Sequence, residues 1–436
     1  MLAHRRGHAD VFSRTAAPSK DLFLRPSTQG PPGRTSATMR GGYSARHRRY
    51  FRRLRRGQDG PFYDVVFYMP SIAPLVRAVP GPAPGGAETQ VWMLCRQLAR
   101  TGVRVALVVG DVVEFPDSVQ GVTIIRRAPY LPGRSMMYKA REVGAVLRLV
   151  WQLPANTVVK RGYAHDAGLV GLAARARGRA FVYSSANVLD FAAWDRNRRL
   201  VSLSRLGALR LASTVVVQTT EQVGMCEQRL GKHPRLIRSL AELPEPIDSR
   251  SVEPEFFLWI GRVVPHKRPF IFLELAERLP TIQFKMLVLP EMAKSADLMA
   301  EVDRRVRGLP NLGLLPPRPR AAVGELMERS WAVVNTSDYE GMPNIFLEGW
   351  ARGIPAVCLS HDPDGLIALH GLGVFTNGST DDLAEACTSF IDGSFDRAAA
   401  ASRCRQYVAS HHAAAPVAAS WAALLDLTAR AVASPP

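Results

Sequence analysis

Short β-branched runs alternate with helical repeats from residue 63 onward, and this order constrains the fold more than any other feature of the chain. "VVFYM" (65–69), "VRVALVV" (103–109), "TVVK" (157–160), "AFVYS" (180–184) and "TVVVQ" (214–218) are mostly apolar with little alternation, the pattern of strands buried on both faces. Between them lie helical stretches such as 88–100, where Val91, Leu94, Cys95 and Leu98 repeat at i, i+3, i+4 and i+7. Parallel strands need crossover helices, so the order predicts an α/β chain with parallel sheets covered on both faces.

The segment 241–254, "AELPEPIDSRSVEP", interrupts the alternation with three prolines and polar residues, and reads as an interdomain linker. The alternation restarts with strands at 256–260, 284–289, 311–315, 332–335 and 355–359 and a helix near 269–279. The expected architecture is therefore two Rossmann-like, doubly wound parallel-sheet domains, residues 61–240 and 255–415, followed by a terminal segment 416–436. A ligand of such a chain belongs in the interdomain cleft, beyond the carboxyl ends of the strands.

Composition supports folded cores: 47% of the 436 residues are hydrophobic and 22% charged. The formal charge of +18 is concentrated at the start, since residues 1–60 hold 14 Arg or Lys against three Asp. That segment lacks apolar periodicity and reads as disordered. It is expected to be a solvated tail or an extension upstream of a start at Met39 or later, or to hold the chain at an anionic membrane through "RHRRYFRRLRR" (46–56). No run of 18 apolar residues and no secretory leader pattern occurs, and the five cysteines are scattered and odd in number. These features predict a cytoplasmic protein, peripheral at the membrane's inner face in one reading, with reduced thiols and no metal site.

Three stretches follow strands and carry chemistry. "FFLWIGRVVPHKRPF" places Gly261, Arg262 and Lys267 between a strand and a helix, and two cations there suit a diphosphate. Only seven lysines occur in the chain, so a lysine at 267 is informative; on spacing alone, solvated loop cations remain open. In "DYEGMPNIFLEGWARG" (338–353), Pro343 suits the first helical position, and the amides around Gly341, Met342 and Asn344 form an anion site at the helix N-terminus. Glu340 lies at its mouth and Glu348 in the helix's second turn. Such carboxylates accept hydrogen bonds from sugar hydroxyls, or else simply favour the helix dipole. "PGPAPGGAETQVW" (80–92) brings Gly85 and Gly86, which let backbone approach a ligand or merely form a turn.

These three stretches, in this order, resemble the retaining glycosyltransferases of family 4, which have the GT-B fold. The resemblance spans roughly residues 63–430 and is strongest over 256–376, where "DPDGLIALHGLGVF" (362–375) adds to it. It implies a nucleotide-diphosphate sugar as donor, with the second domain on the donor side and the first on the side of a glycan or lipid-linked acceptor. By the resemblance, Arg262 and Lys267 hold the donor diphosphate, Glu340 the transferred sugar and Glu348 the ribose. Gly86 approaches the phosphates or the acceptor, and the helix near 416–430 crosses back to the first domain. The expected setting is surface polysaccharide or glycoconjugate synthesis, with no cofactor, no metal in the chemistry and no specific nucleic acid.

The chain departs from the family pattern in the first domain. Many members carry a histidine after the strand matching "AFVYSSANVLD", where this chain has Ser184, Ser185 and Asn187; His165 in "KRGYAHD" is the nearby candidate. "RSL" (238–240) replaces the usual Asn-Gly. Asp362 and Asp364 form an Asp-x-Asp that is read as a loop. The helix at 139–152 is expected to bury a stripe of Val143, Val146, Leu147, Val150 and Trp151, and the basic segment 194–210 to border the acceptor site. The alternatives are a GT-B epimerase or phosphorylase, and a non-catalytic sugar-nucleotide or nucleic-acid binding protein.

Overall fold

The computed structural model describes residues 62–77, 85–110, 116–127, 136–162, 164–193, 195, 198–244, 253–289 and 296–433. The expectations for residues 1–60, for the prolines of 80–84 and for the linker residues 245–252 fall outside them. Residues Asp59–Pro436 form one compact unit, built on two sheets.

The first sheet contains Tyr63–Tyr68 (β1), Val105–Val109 (β2), Ser118–Val119 (β3), Val122–Arg126 (β4), Ala155–Arg161 (β5), Ala180–Ser184 (β6), Thr214–Val217 (β7) and Arg235–Leu236 (β8). Their order is β3-β4-β2-β1-β5-β6-β7-β8, parallel throughout except for the antiparallel β3–β4 pair. β1 lies centrally, with Phe67 opposite Leu107 on one side and Val159 on the other. The second sheet contains Phe256–Arg262 (β9), Phe284–Leu289 (β10), Leu312–Leu315 (β11), Ser330–Asn335 (β12), Ala356–Cys358 (β13) and Gly373–Phe375 (β14). Its order is β11-β10-β9-β12-β13-β14, parallel at every step. In both sheets the first strand in sequence sits where the order reverses, so the loops after β1 and β9 open at topological switch points.

The apolar runs become strands because both sheet faces are covered. β2 is buried along its whole length, and the helix Gly86–Arg100 lays Val91, Leu94, Cys95 and Leu98 on the first core. The last helix, Ala414–Ala433, joins that same core through Val417, Ala418, Trp421, Leu424 and Leu425. Trp421 meets Phe67 at 6.2 Å, and Thr428 bonds Thr157 at 3.1 Å in the interior. The preceding helix, Arg397–His411, stays on the second domain, where Tyr407 packs edge-on to Trp350.

The chain therefore passes between the domains twice, and the two passages lie side by side. Ala241 bridges Ala413, the Ala241 amide donates to the His412 carbonyl at 2.9 Å, and His412 Nδ1 lies 2.6 Å from the Ser239 carbonyl. His412 is fully buried, and burial pushes its imidazole pKa down to about 4.

Two details differ from the sequence reading. The helix Met136–Gln152 buries Val146, Leu149 and Val150, while Val143 and Trp151 are exposed; the stripe is narrower because Trp151 lies under the Arg177 guanidinium at 5.6 Å instead of entering the core. β3 and β4 join the first sheet through a turn in which Gln120 and Gly121 both have positive φ, and β8 and β14 are too short to register as apolar runs. Among the described residues no helix is long and apolar enough to cross a membrane.

Candidate functional site

The site begins at the end of β9, which continues through Gly261 and Arg262 beyond the apolar run. A Cβ at Gly261 would stand 2.8 Å from the Trp259 ring, so the close strand–indole contact requires glycine. Arg262 is exposed and makes no ion pair among the described residues. A short turn, Pro265–Lys267, follows; Arg268 takes φ 46 and Pro269 opens the next helix.

Backbone and hydroxyl contacts bring this turn to the loop after β12. Trp259 Nε1 donates to Thr336 Oγ1 at 3.1 Å, and Thr336 Oγ1 donates to the Lys267 carbonyl at 2.6 Å. The Asp338 amide donates to the His266 carbonyl at 2.8 Å, and the His266 and Tyr339 rings stack 5.1 Å apart. Lys267 and Glu340, 73 positions apart in the chain, thereby meet as an ion pair between Nζ and Oε1. Ser337 donates to the same carboxylate oxygen at 2.8 Å. Burial opposes a charge at Glu340, but Lys267, Ser337 and His361 outweigh it and hold the carboxyl below its ordinary pKa. Glu340 is thus an ionised acceptor in a 9% exposed position, held by Lys267 and Ser337.

Glu348 has the opposite balance. It sits one turn into the helix Asn344–Ala351, where burial raises its carboxyl pKa against the pull of Arg320 and Arg352. Arg320 reaches Glu348 at 3.4 Å and Glu242 at 3.4 Å, and Glu242 also pairs with Arg96 of the first domain. A chain of alternating charges therefore runs from the first domain through the linker to Glu348.

Pro343 is the residue preceding this helix, with ψ 119, and Asn344 is its first residue; the start lies one position later than the sequence suggests. The Gly341–Met342 loop reaches the first domain. A Cβ on Gly341 would lie 2.9 Å from the Ala186 carbonyl and 3.4 Å from Asn187 Cα, so only glycine permits this approach. Asn344 Nδ2 donates to the Gly86 carbonyl at 2.7 Å and its Oδ1 accepts from Gln90 at 3.1 Å. Gln90 in turn exchanges two 2.8 Å bonds with the Leu240 backbone. The loops after β1, β6, β9 and β12 thus meet at one place, bringing Gly86 together with Asn344, and Gly341 beside Asn187.

Other sequence candidates serve elsewhere. The Asn187 side chain accepts from the Leu189 amide at 3.0 Å and caps the short helix Val188–Phe191. His165 is exposed beside Asp166, whose carboxyl pKa is lowered against burial by Lys160 and, after it, His165. Gly85 precedes the helix Gly86–Arg100. Asp362 and Asp364 point to different helix N-termini: Asp362 accepts from Ile367 and Ala368, whereas Asp364 accepts from Thr220 at 2.8 Å and Glu221 at 3.1 Å across the domain boundary. Among the described residues no group of three or more His, Cys, Asp or Glu side chains could hold a metal ion.

Sequence reasoning missed Ser337, His361 and Arg320, and read Asp364 only as part of a loop. Their contacts join segments distant in sequence, except for Ser337, whose position three residues before Glu340 was a legible sign. His361 Nε2 lies 3.1 Å from the Gly341 carbonyl.

Residues 245–409 match the family described as glycosyl transferases group 1. No curated protein matches the chain significantly. Among solved structures, the Anabaena protein HepE, in complex with UDP and glucose, is 17% identical, with 84% of this chain and 99% of that chain covered at a TM-score of 0.63. Sucrose-phosphate synthase from Thermosynechococcus elongatus is 17% identical, with 83% and 98% covered and a TM-score of 0.67. AviGT4, a glycosyltransferase involved in avilamycin A biosynthesis, is 16% identical, with 84% and 97% covered and a TM-score of 0.52. At these identities the likeness is one of architecture: the chain has the GT-B fold, and most of its second domain matches the glycosyl transferases group 1.

Proposed function

We propose that this protein is a retaining glycosyltransferase of family 4 that moves a sugar from a nucleotide-diphosphate donor to a glycan or lipid-linked acceptor. The observation that carries the reading is the partly buried Lys267–Glu340 pair set beside Arg262, which forms no ion pair among the described residues, at the β9 switch point. HepE, which shares the fold, was crystallised with UDP-glucose, and a nucleotide sugar matches the charges present here.

Breaking the bond between the anomeric carbon and the diphosphate leaves positive charge on the sugar ring and negative charge on the leaving group. Arg262, Lys267 and the N-terminus of the helix Asn344–Ala351 stabilise the latter. Glu340 accepts hydrogen bonds from sugar hydroxyls and holds the ring in place, and Glu348 does the same for the ribose. The acceptor hydroxyl attacks from the side the diphosphate leaves, its oxygen forms the new bond, and its proton passes to the departing phosphate oxygen. No protein nucleophile enters this scheme. Because Arg262 and Lys267 receive the leaving charge, turnover is expected to persist in a chelator. Surface polysaccharide or glycoconjugate assembly at the inner membrane face, with residues 46–56 toward anionic lipid, completes the reading.

The test is nucleotide release from a panel of UDP, GDP and ADP sugars, followed by chromatography with the full chain. One nucleotide series is expected to be turned over, and Glu340→Gln is expected to slow it at least about 100-fold. Binding without release from any donor would leave a sugar-nucleotide binding protein instead.

A further inference from the structure

Beside Gln90 lies a small cavity of about 10 Å³, room for about one water, whose polar lining comes entirely from the first domain: Arg161, Ser184, Gln90, Arg238 and Ser239. Its floor is apolar, with Phe67, Val159 and Trp421. Arg161 ends β5, and Arg238 lies two residues beyond β8.

The two guanidiniums are not neutralised. Arg161 Nη1 donates to Ser184 Oγ at 3.1 Å, while its buried Nε has no hydrogen-bond partner among the described residues. Neither Arg161 nor Arg238 forms an ion pair there. Asp190 and Glu88 act on Arg161 at longer range, yet burial still pushes its guanidinium down to about 10. Glu88 is engaged by Ser71 at 2.7 Å, and Asp190 by Tyr183, Ser185 and the Ala186 and Asn187 amides. A partly buried cation with an idle N–H and a second cation on the same wall is costly unless an anion joins them. Arginine forks match the oxygens of a phosphate better than any neutral ligand. The pocket is separate from Arg262 and Lys267, which belong to the opposite wall.

We propose that Arg161 and Arg238 form an oxyanion site at the open mouth of this cavity, where they receive a phosphate group of the acceptor. The assignment to the acceptor rests on the transferase reading; the pocket itself does not. It would distinguish acceptors that carry a phosphate near the attacking hydroxyl from neutral glycans, and it places the replacement of the family's Asn-Gly by "RSL" in the service of acceptor choice.

The experiment is a calorimetric titration of inorganic phosphate into the full chain, as wild type and as Arg262→Ala, Arg161→Gln, Arg161→Lys and Arg238→Gln variants. Thermal melts establish that each is folded. Phosphate binding is expected to survive Arg262→Ala, to weaken about tenfold or more in Arg161→Gln and Arg238→Gln, and to be partly kept in Arg161→Lys. Loss in Arg262→Ala alone would assign the phosphate to the donor side and overturn the proposal. Binding unchanged in both glutamine variants, or absent from wild type, would overturn it as well. A parallel titration with UDP, GDP and ADP separates the two readings: phosphate binding at Arg161 without any nucleotide binding would sink the transferase reading while leaving the pocket standing.

Discussion

The two walls of the cleft handle charge differently. On the second-domain wall the charges other than Arg262 have partners: Lys267 with Glu340, Arg268 with Asp338, and Arg320 with Glu348. On the first-domain wall Arg161 and Arg238 stand in one cavity with no carboxylate at ion-pair distance among the described residues. A wall settled within itself is organised before any ligand arrives, which suits the constant part of a reaction. A wall with unbalanced charge gains most from its ligand, which suits recognition.

The comparison can be broken most sharply at Lys267. Lys267→Met leaves Glu340 as a buried carboxylate without its cation and should cost about 3 kcal/mol in urea unfolding. The double variant Lys267→Met/Glu340→Gln should recover most of that loss. If the single variant is as stable as wild type, the second wall is not settled by this pair.

The seam between the walls has its own test in His412. Its folded pKa lies below the ordinary histidine value of 6.5, so the unfolded chain binds the extra proton first as pH falls. Stability should therefore be intact above about pH 6.5 and decline toward pH 4, by up to about 3 kcal/mol. His412→Asn, which retains a donor toward Ser239, should flatten this pH dependence in melts.

Smaller effects sharpen how the walls meet. Gly341→Ala puts a methyl against the Ala186 carbonyl, a backbone atom that cannot swing away, and should cost about 2 kcal/mol while raising the radius of gyration in X-ray scattering. Asp364→Ala removes the carboxylate that caps the helix Thr220–Leu230 from the other domain. A loss of about 1 kcal/mol is expected in thermal melts. The least change should come from Glu348→Gln: because burial already disfavours its charge, the melting temperature should hold or rise slightly, while nucleotide binding weakens.

Much of the fold was legible because a parallel strand covered on both faces must be apolar throughout, as "VALVV" (105–109) is, and its crossover helix must be periodic, as 88–100 is. β8 and β14 were not, since two or three residues carry no period. Gly261, Arg262, Lys267, Glu340 and Glu348 were visible as candidates because the chemistry clusters in two contiguous motifs. Asp364 was seen only as part of a loop, since its partners at 220 and 221 lie over 140 residues away. Arg161 and Arg238 were invisible as a pair: with arginine the chain's default cation, only the fold distinguishes a cation in a cavity from one in solvent.

The most direct measurement is calorimetric titration of UDP, GDP and ADP into the wild-type chain and Arg262→Ala. The account predicts that one nucleoside diphosphate binds at a single site and that Arg262→Ala weakens it about tenfold or more. No binding by any of the three, or equal binding by both proteins, would contradict the placement of the donor diphosphate at the end of β9.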